Sequence, residues 1–195
     1  MSLVSQLIKS LQILPGVGAK SAQRMTFHLL QKNQQGAEAI AHTLLEALQK
    51  VKECPRCRTL TELELCRICA SEKRNSQQIC VVESAADIIH MEQATDYRGR
   101  YFVLHGKLSP IDGIGIKELK LDLLVEILAE NPVEEMIIAT GSTIEGETTA
   151  QYLSQLAESA GITASRLAHG VPLGGEIEYI DSNTLAHAFG SRVKI

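Results

Sequence analysis

Apolar residues recur at helical spacing from the start of the chain. Leu3, Leu7, Ile8 and Leu11 fall on one stripe, and Ser2 is placed to cap the helix they imply. The stripe breaks at Leu14-Pro15-Gly16-Val17-Gly18, and helical spacing resumes from Lys20 through Met25, Leu29 and Leu30. A third helix is predicted over 37–51, with Ile40, Leu44, Leu45 and Leu48 on its inward face. A cysteine-bearing segment follows at 54–69, and then a polar run, 71–78, that reads as a linker.

Beyond residue 78 the period changes. Short apolar runs at 79–83, 101–104, 136–139 and 162–167 read as strands, and 84–93, 122–130 and 147–160 read as helices between them. Alternation of this kind predicts a mostly parallel sheet with helices on its faces, its functional groups gathered at the carboxyl edge of the strands. The expected fold is therefore multidomain α+β. A helical domain spans 1–52, a cysteine module 53–72, an α/β domain 78–172 and a C-terminal segment 173–195.

Composition refines this picture. The 195 residues are 45% hydrophobic but only 4% aromatic, so the cores must be aliphatic. A net charge of -4 gives no sign of a nucleic-acid binder for the chain as a whole. Read by segment, however, residues 1–37 carry Lys9, Lys20, Arg24 and Lys32 with no acidic residue. No apolar run approaches the roughly 20 residues of a membrane span, and the N-terminus does not read as a signal peptide. The odd count of five cysteines fits a reducing cytoplasm better than a disulfide framework.

Cys54-Pro55-Arg56-Cys57 and Cys66-Arg67-Ile68-Cys69 are two C-x-x-C pairs. Each turn grips one metal with two thiolates, and two turns complete the closed tetrahedral shell of a structural zinc. Four unrelated thiols or redox pairs are the competing explanation, and the matched spacing disfavours it. Arg56, Arg58 and Arg67 decorate this knuckle, with phosphate contact and simple solubility equally consistent. Cys80 lies within a predicted strand and reads as a small core residue.

In the glycine turn, Gly16 and Gly18 permit a tight bend and close approach of another backbone. The helix beginning there presents unpaired N–H groups, a seat for phosphate flanked by Lys20 and Arg24. A plain helical hairpin, packed in a core or a subunit interface, is the alternative. The pattern resembles the helix–hairpin–helix motif of DNA repair proteins, in which the hairpin grips the DNA backbone.

Glu83 closes the first strand of the α/β domain, and Glu145-Gly146-Glu147 follows the 136–139 strand. Both lie where a magnesium site is built in such sheets. The arrangement resembles the Toprim domain of topoisomerases and primases, whose catalytic members add an Asp-x-Asp pair. Here those positions are Gly141 and Thr143. The favoured reading is a non-catalytic Toprim-like domain whose acidic edge is a contact surface. The alternatives are a solvated loop, charges at a helix N-terminus, or a magnesium-dependent Toprim nuclease, primase or topoisomerase. His105 opens a loop through 113 that is expected to cover the same edge. Arg166, His169, Gly170, Pro172, Gly174 and Gly175 form a second turn-rich segment, suited to an inter-subunit arm, a phosphate contact or a plain loop.

Taken in order, the segments LPGVGAKSAQRM, the four-cysteine knuckle, ICVVES, LHGKLSPIDGIG, TIEGETTAQYL and RLAHGVPLGGEIEYID resemble the RecR family of bacterial recombination proteins across essentially the whole chain. The resemblance implies a DNA-repair mediator that forms a homo-oligomeric ring, dimer to tetramer. It implies action with RecO and RecF to load RecA onto gapped single-stranded DNA, without catalysis. DNA, single- or double-stranded, would be held without sequence preference through Lys20 and Arg24, and the Glu145–Glu147 edge would face the basic partner RecO.

Overall fold

The computed structural model describes residues 1–168, 170, 171, 174 and 176–192, with only the backbone at 183 and 187. The chain separates into two units, Met1–Val51 and Lys52–Ile195.

In the first unit, Ser2 caps α1 (Leu3–Leu11) by accepting the Ser5 N–H at 3.2 Å. A turn leads into α2 (Ala19–Lys32). Asn33 then caps α3 (Gln34–Lys50), its Oδ1 accepting the Gly36 N–H at 2.9 Å. That cap starts α3 ahead of the predicted residue 37, because side-chain capping sets a helix start and apolar periodicity does not. Ala22 and Thr26, one turn apart on α2, are the fully buried residues of the unit. The expected inward face of α3 is not inward: Ile40, Leu44, Leu45 and Leu48 are 59%, 58%, 59% and 73% exposed. Periodicity marks an apolar face but does not say what covers it, and three short helices supply too little surface to bury every stripe.

The second unit opens with a small antiparallel pair, β1 (Lys52–Glu53) and β2 (Leu60–Thr61), and a short helix α4 (Arg67–Ala70). Four parallel strands follow: β3 (Gln78–Val82), β4 (Arg100–Val103), β5 (Glu135–Ala139) and β6 (Thr163–Arg166). Their order is β4-β3-β5-β6. The connecting helices are α5 (Ala85–Ala94), α6 (Leu121–Glu130) and α7 (Ile144–Ser159). The central β3 is apolar at every position from Ile79 to Val82 because both of its faces are covered. On one face Ile79, Val81, Phe102, Met136 and Ile138 pack with Leu121, Leu124 and Leu128 of α6 and Leu153 and Ala157 of α7. On the other, Cys80, Val82, Tyr101 and Val103 pack with Ile88 of α5 and with Ile68 of α4. The cysteine module is thus seated on the sheet, and Cys80 is a core residue as expected.

The polar run 71–78 is not a free linker. Arg74 donates to both carboxylate oxygens of Glu92 and to the carbonyls of Tyr97 and Gly99, and the Asn75 N–H meets the Arg98 carbonyl at 2.8 Å. Its polarity reflects anchoring hydrogen bonds, and Gln78 already belongs to β3. Helix α7 begins at Ile144, before the expected 147, because Thr143 Oγ1 accepts the Gly146 N–H at 3.2 Å. After β6 come a short 3₁₀ turn, Ile177–Tyr179, and α8 (Ser182–Gly190). His169, Pro172 and Gly175 of the turn-rich segment lie outside the described residues, as do Leu173 and residues 193–195. Among the described residues no helix is long and apolar enough to cross a membrane.

Candidate metal centre and nucleic-acid interface

Cys54 follows β1, and the turn to Cys57 is closed by two main-chain bonds. The Cys54 N–H meets the Thr59 carbonyl at 2.7 Å and the Arg58 N–H meets the Cys54 carbonyl at 2.9 Å. Cys66 caps α4, its sulfur accepting the Cys69 N–H at 3.4 Å, while the Cys66 N–H points at Cys54 Sγ at 3.4 Å. The four buried sulfurs lie within 4.8 Å of one another, and none is in a disulfide. A tetrahedral zinc with bonds of about 2.3 Å needs sulfurs about 3.8 Å apart, which this cluster accommodates. Four adjacent thiols cannot all ionise unaided. The hydrogen bond with Cys57 holds Cys66 well below its ordinary value, the same contact pushes Cys57 up, and Cys57 and Cys66 together push Cys69 upward. A cation at the centre removes that conflict, so the donor set fits a soft, tetrahedral metal.

In the hairpin, the Val17 N–H closes a turn onto the Leu14 carbonyl at 3.1 Å, and Gly16 has φ +76°. Gly18, by contrast, is extended with φ -80°, and a Cβ added there meets nothing within 4 Å. Among the described residues, nothing around position 18 requires a glycine. Its side-chain-free cap leaves the first N–H groups of α2 open, as an approaching phosphate would need. Lys20 and Arg24 are exposed one turn apart on this helix, and neither is in an ion pair among the described residues.

At the carboxyl edge of the sheet, Glu83 Oε1 accepts the Gly141 N–H at 2.7 Å. Its Oε2 lies 3.7 Å from Lys107 Nζ, which also donates to Thr143 Oγ1 at 3.2 Å. Both positions of the missing Asp-x-Asp pair are therefore drawn into one network with Glu83, as an amide donor and a hydroxyl. Gly146 is fixed by crowding, since a Cβ there would stand 2.0 Å from the Gly141 carbonyl oxygen. Glu145 and Glu147 sit in the first turn of α7, favourably placed on its dipole. Arg166 grips Glu147 with two nitrogens, one of the bonds 2.7 Å long, and is held above its ordinary value first by that hydrogen bond. The Glu145 side chain is exposed. Among the described residues the three glutamates do not form a metal-ligating group, and the four cysteines do.

Sequence reasoning placed the loop from His105 over this edge but did not single out Lys107 within it, and it misread Arg58. That arginine is not a surface decoration: its side chain is 4% exposed and donates to three main-chain carbonyls of the Toprim-like unit. Spacing alone did not separate it from Arg56 and Arg67.

Comparison with known families accounts for the chain segment by segment. Residues 4–48 match the family described as "RecR, helix-hairpin-helix", 51–71 the four-cysteine zinc finger domain of RecR, 77–168 "Toprim domain" and 170–193 "RecR, C-terminal". The Recombination protein RecR of Xanthomonas oryzae pv. oryzae is 57% identical over 194 residues, covering 100% of this chain and 98% of that protein. The chain belongs to the RecR family. The RecR proteins of Saccharophagus degradans and Xylella fastidiosa are each 53% identical over 193 residues, covering 99% of this chain and 98% of theirs. The RecR order of helix–hairpin–helix, zinc finger and Toprim domain agrees with the fold class expected from the sequence. Within that order the four-thiol cluster falls in the zinc-finger segment, which points to a structural metal.

Proposed function

We propose that this RecR-family chain is a non-catalytic mediator of DNA repair and homologous recombination. It holds DNA, single- or double-stranded, by its backbone through the Gly16–Gly18 turn, Lys20 and Arg24. A homo-oligomeric ring of two to four copies multiplies this weak grip by avidity. With RecO and RecF it would help load RecA onto gapped single-stranded DNA in the cytoplasm. The four cysteines hold one structural zinc, which supports folding and not chemistry. The exposed, glycine-capped N-terminus of α2, flanked by two cations that form no ion pair among the described residues, is the observation that carries the DNA reading.

The Glu83, Glu145 and Glu147 edge is proposed as the docking surface for a basic partner, RecO. Lys107 beside Glu83, where a magnesium enzyme needs further carboxylates, supports a contact role over catalysis. A salt titration of DNA binding, with and without Mg²⁺ and with products resolved on a gel, tests the reading. Salt-sensitive binding without cleavage or synthesis is the expected result. Product formation abolished by Glu83→Gln would instead establish a Toprim enzyme. Glu145→Lys should impair RecO docking and leave DNA binding intact, and unimpaired docking would remove the acidic-edge proposal.

A further inference from the structure

The zinc knuckle and the acidic edge are connected by one loop, 105–118. The knuckle holds both of its ends. Arg58 Nη1 donates to the carbonyls of Val103 at 2.9 Å and Leu104 at 3.0 Å before the loop, and to Leu119 at 2.8 Å after it. Glu53, on β1, accepts from Lys120 Nζ at 3.1 Å, stands 3.5 Å from Arg58 Nε and lies 3.8 Å from His105 Nε2. His105 Nε2 in turn donates to the Arg58 carbonyl at 2.8 Å. The middle of the loop reaches the acidic edge, through Lys107 to Glu83 and Thr143 and through the Leu108 N–H to Thr149 of α7 at 2.9 Å.

Backbone strain collects at the same junction. Arg58, His105 and Lys120 have φ of +65°, +58° and +51°, and they are the positive-φ residues other than glycine among the described residues. Such conformations persist only where surrounding contacts impose them, and they cluster at functional devices. Here they occupy the knuckle turn, the first residue of the loop and the N-cap of α6 just beyond its end. The Arg58 N–H bond to the Cys54 carbonyl closes the turn that carries both Cys54 and Cys57, and fixes how that turn aims the guanidinium inward. A guanidinium stays charged, so once its carbonyl acceptors move it must return to water.

We infer that the knuckle is a clasp on both ends of the 105–118 loop, so that metal occupancy of the four-cysteine site sets the order of that loop and of the acidic edge it touches. Arg58 and Glu53 are the positioning residues of this clasp. Its consequence for partner docking rests on the proposed role of the edge, whereas the clasp itself does not.

Hydrogen exchange read by mass spectrometry on the full, zinc-loaded chain tests this, with metal content measured in parallel. Arg58→Met should retain zinc yet speed exchange over 105–119 by roughly tenfold or more, the factor for losing about 1.4 kcal/mol of local stability. Residues 1–51 should be unchanged. Arg58→Lys should fall between, because an ammonium does not span the same acceptors. Chelating the metal from the unsubstituted chain should accelerate the same segment, and this arm decides the matter if Arg58→Met does not fold. Wild-type exchange over 105–119 in zinc-retaining Arg58→Met, or in the demetallated chain, overturns the clasp. So does a uniform rise that includes β3. Normal RecO docking by Glu145→Lys would count against the edge's role and leave the exchange result standing.

Discussion

If the hairpin is the seat for DNA, its two glycines separate folding from DNA contact, and substituting each by alanine tests both assignments. Gly16 has φ +76°, where a Cβ crowds the following carbonyl at a cost of roughly 1–2 kcal/mol. Restricting the unfolded chain returns about 0.4–1 kcal/mol of that, so Gly16→Ala should destabilise by about 1 kcal/mol. Gly18 has φ -80° and open space around an added Cβ. Its unfolded-state gain of about 0.4–1 kcal/mol nearly offsets the few tenths to 1 kcal/mol lost in replacing a glycine cap by alanine, so stability should hardly move. In DNA binding the order reverses. If a phosphate seats on the open N–H groups of α2, a methyl at 18 would crowd its approach, so Gly18→Ala should lose affinity at every salt concentration. Lys20→Ala with Arg24→Ala should instead flatten the log–log salt dependence, by about 0.9 per cation on duplex or 0.7 on single strands. Urea denaturation and fluorescence anisotropy against salt read the two effects separately. A Gly18→Ala protein that folds and binds DNA like the parent would refute the hairpin as the phosphate seat.

Cys57→Ser should abolish stoichiometric zinc and destabilise the cysteine module, as metal analysis and urea unfolding would show. Leu153→Ala removes a fully buried core side chain under the sheet and should cost about 2–5 kcal/mol in urea unfolding. Glu92 is held below its ordinary 4.5, first by the Arg74 hydrogen bond and against partial burial. Its folded value is depressed, so its stabilisation is present above pH 4.5 and is lost as pH falls below it. Glu92→Gln should therefore flatten the acid limb of stability between pH 4.5 and lower values, measured by thermal melts across pH.

Much of this architecture was legible because local rules and tertiary packing agree. Ile79 to Val82 is an unbroken apolar run because β3 is covered on both faces, and the paired C-x-x-C turns leave few geometries besides a four-sulfur cluster. Boundaries that moved did so through side-chain caps: Asn33 and Thr143 each start a helix ahead of its apolar stripe. The run 71–78 looked like a linker because charged and amide side chains are alike in sequence whether solvated or anchored. Only the fold reveals that Arg74 meets Glu92 and the carbonyls of Tyr97 and Gly99. The face of α3 is the opposite case, an apolar stripe read as buried that is exposed within the chain.

The acidic edge shows most clearly why composition could not resolve its chemistry. A missing Asp-x-Asp pair says that two carboxylates are gone, but not what neutralises the one that remains. Glu83 is neutralised from within, by the Gly141 amide and by a lysine that arrives from a different loop. Glu147 is likewise matched by Arg166 from β6. These pairs are only partly buried and stay in reach of solvent, so they contribute about 1 kcal/mol each, and a cationic surface of a partner could exchange with them at little cost. Glu145, exposed at the start of α7, lacks such a counter-ion among the described residues. If the edge receives a basic partner, Glu145 is the residue that a first cation meets, and Glu83 becomes available only as Lys107 gives way. The loop that carries Lys107 is the one whose ends the knuckle holds, so the knuckle, the loop and the carboxylates are joined by one run of hydrogen bonds and ion pairs.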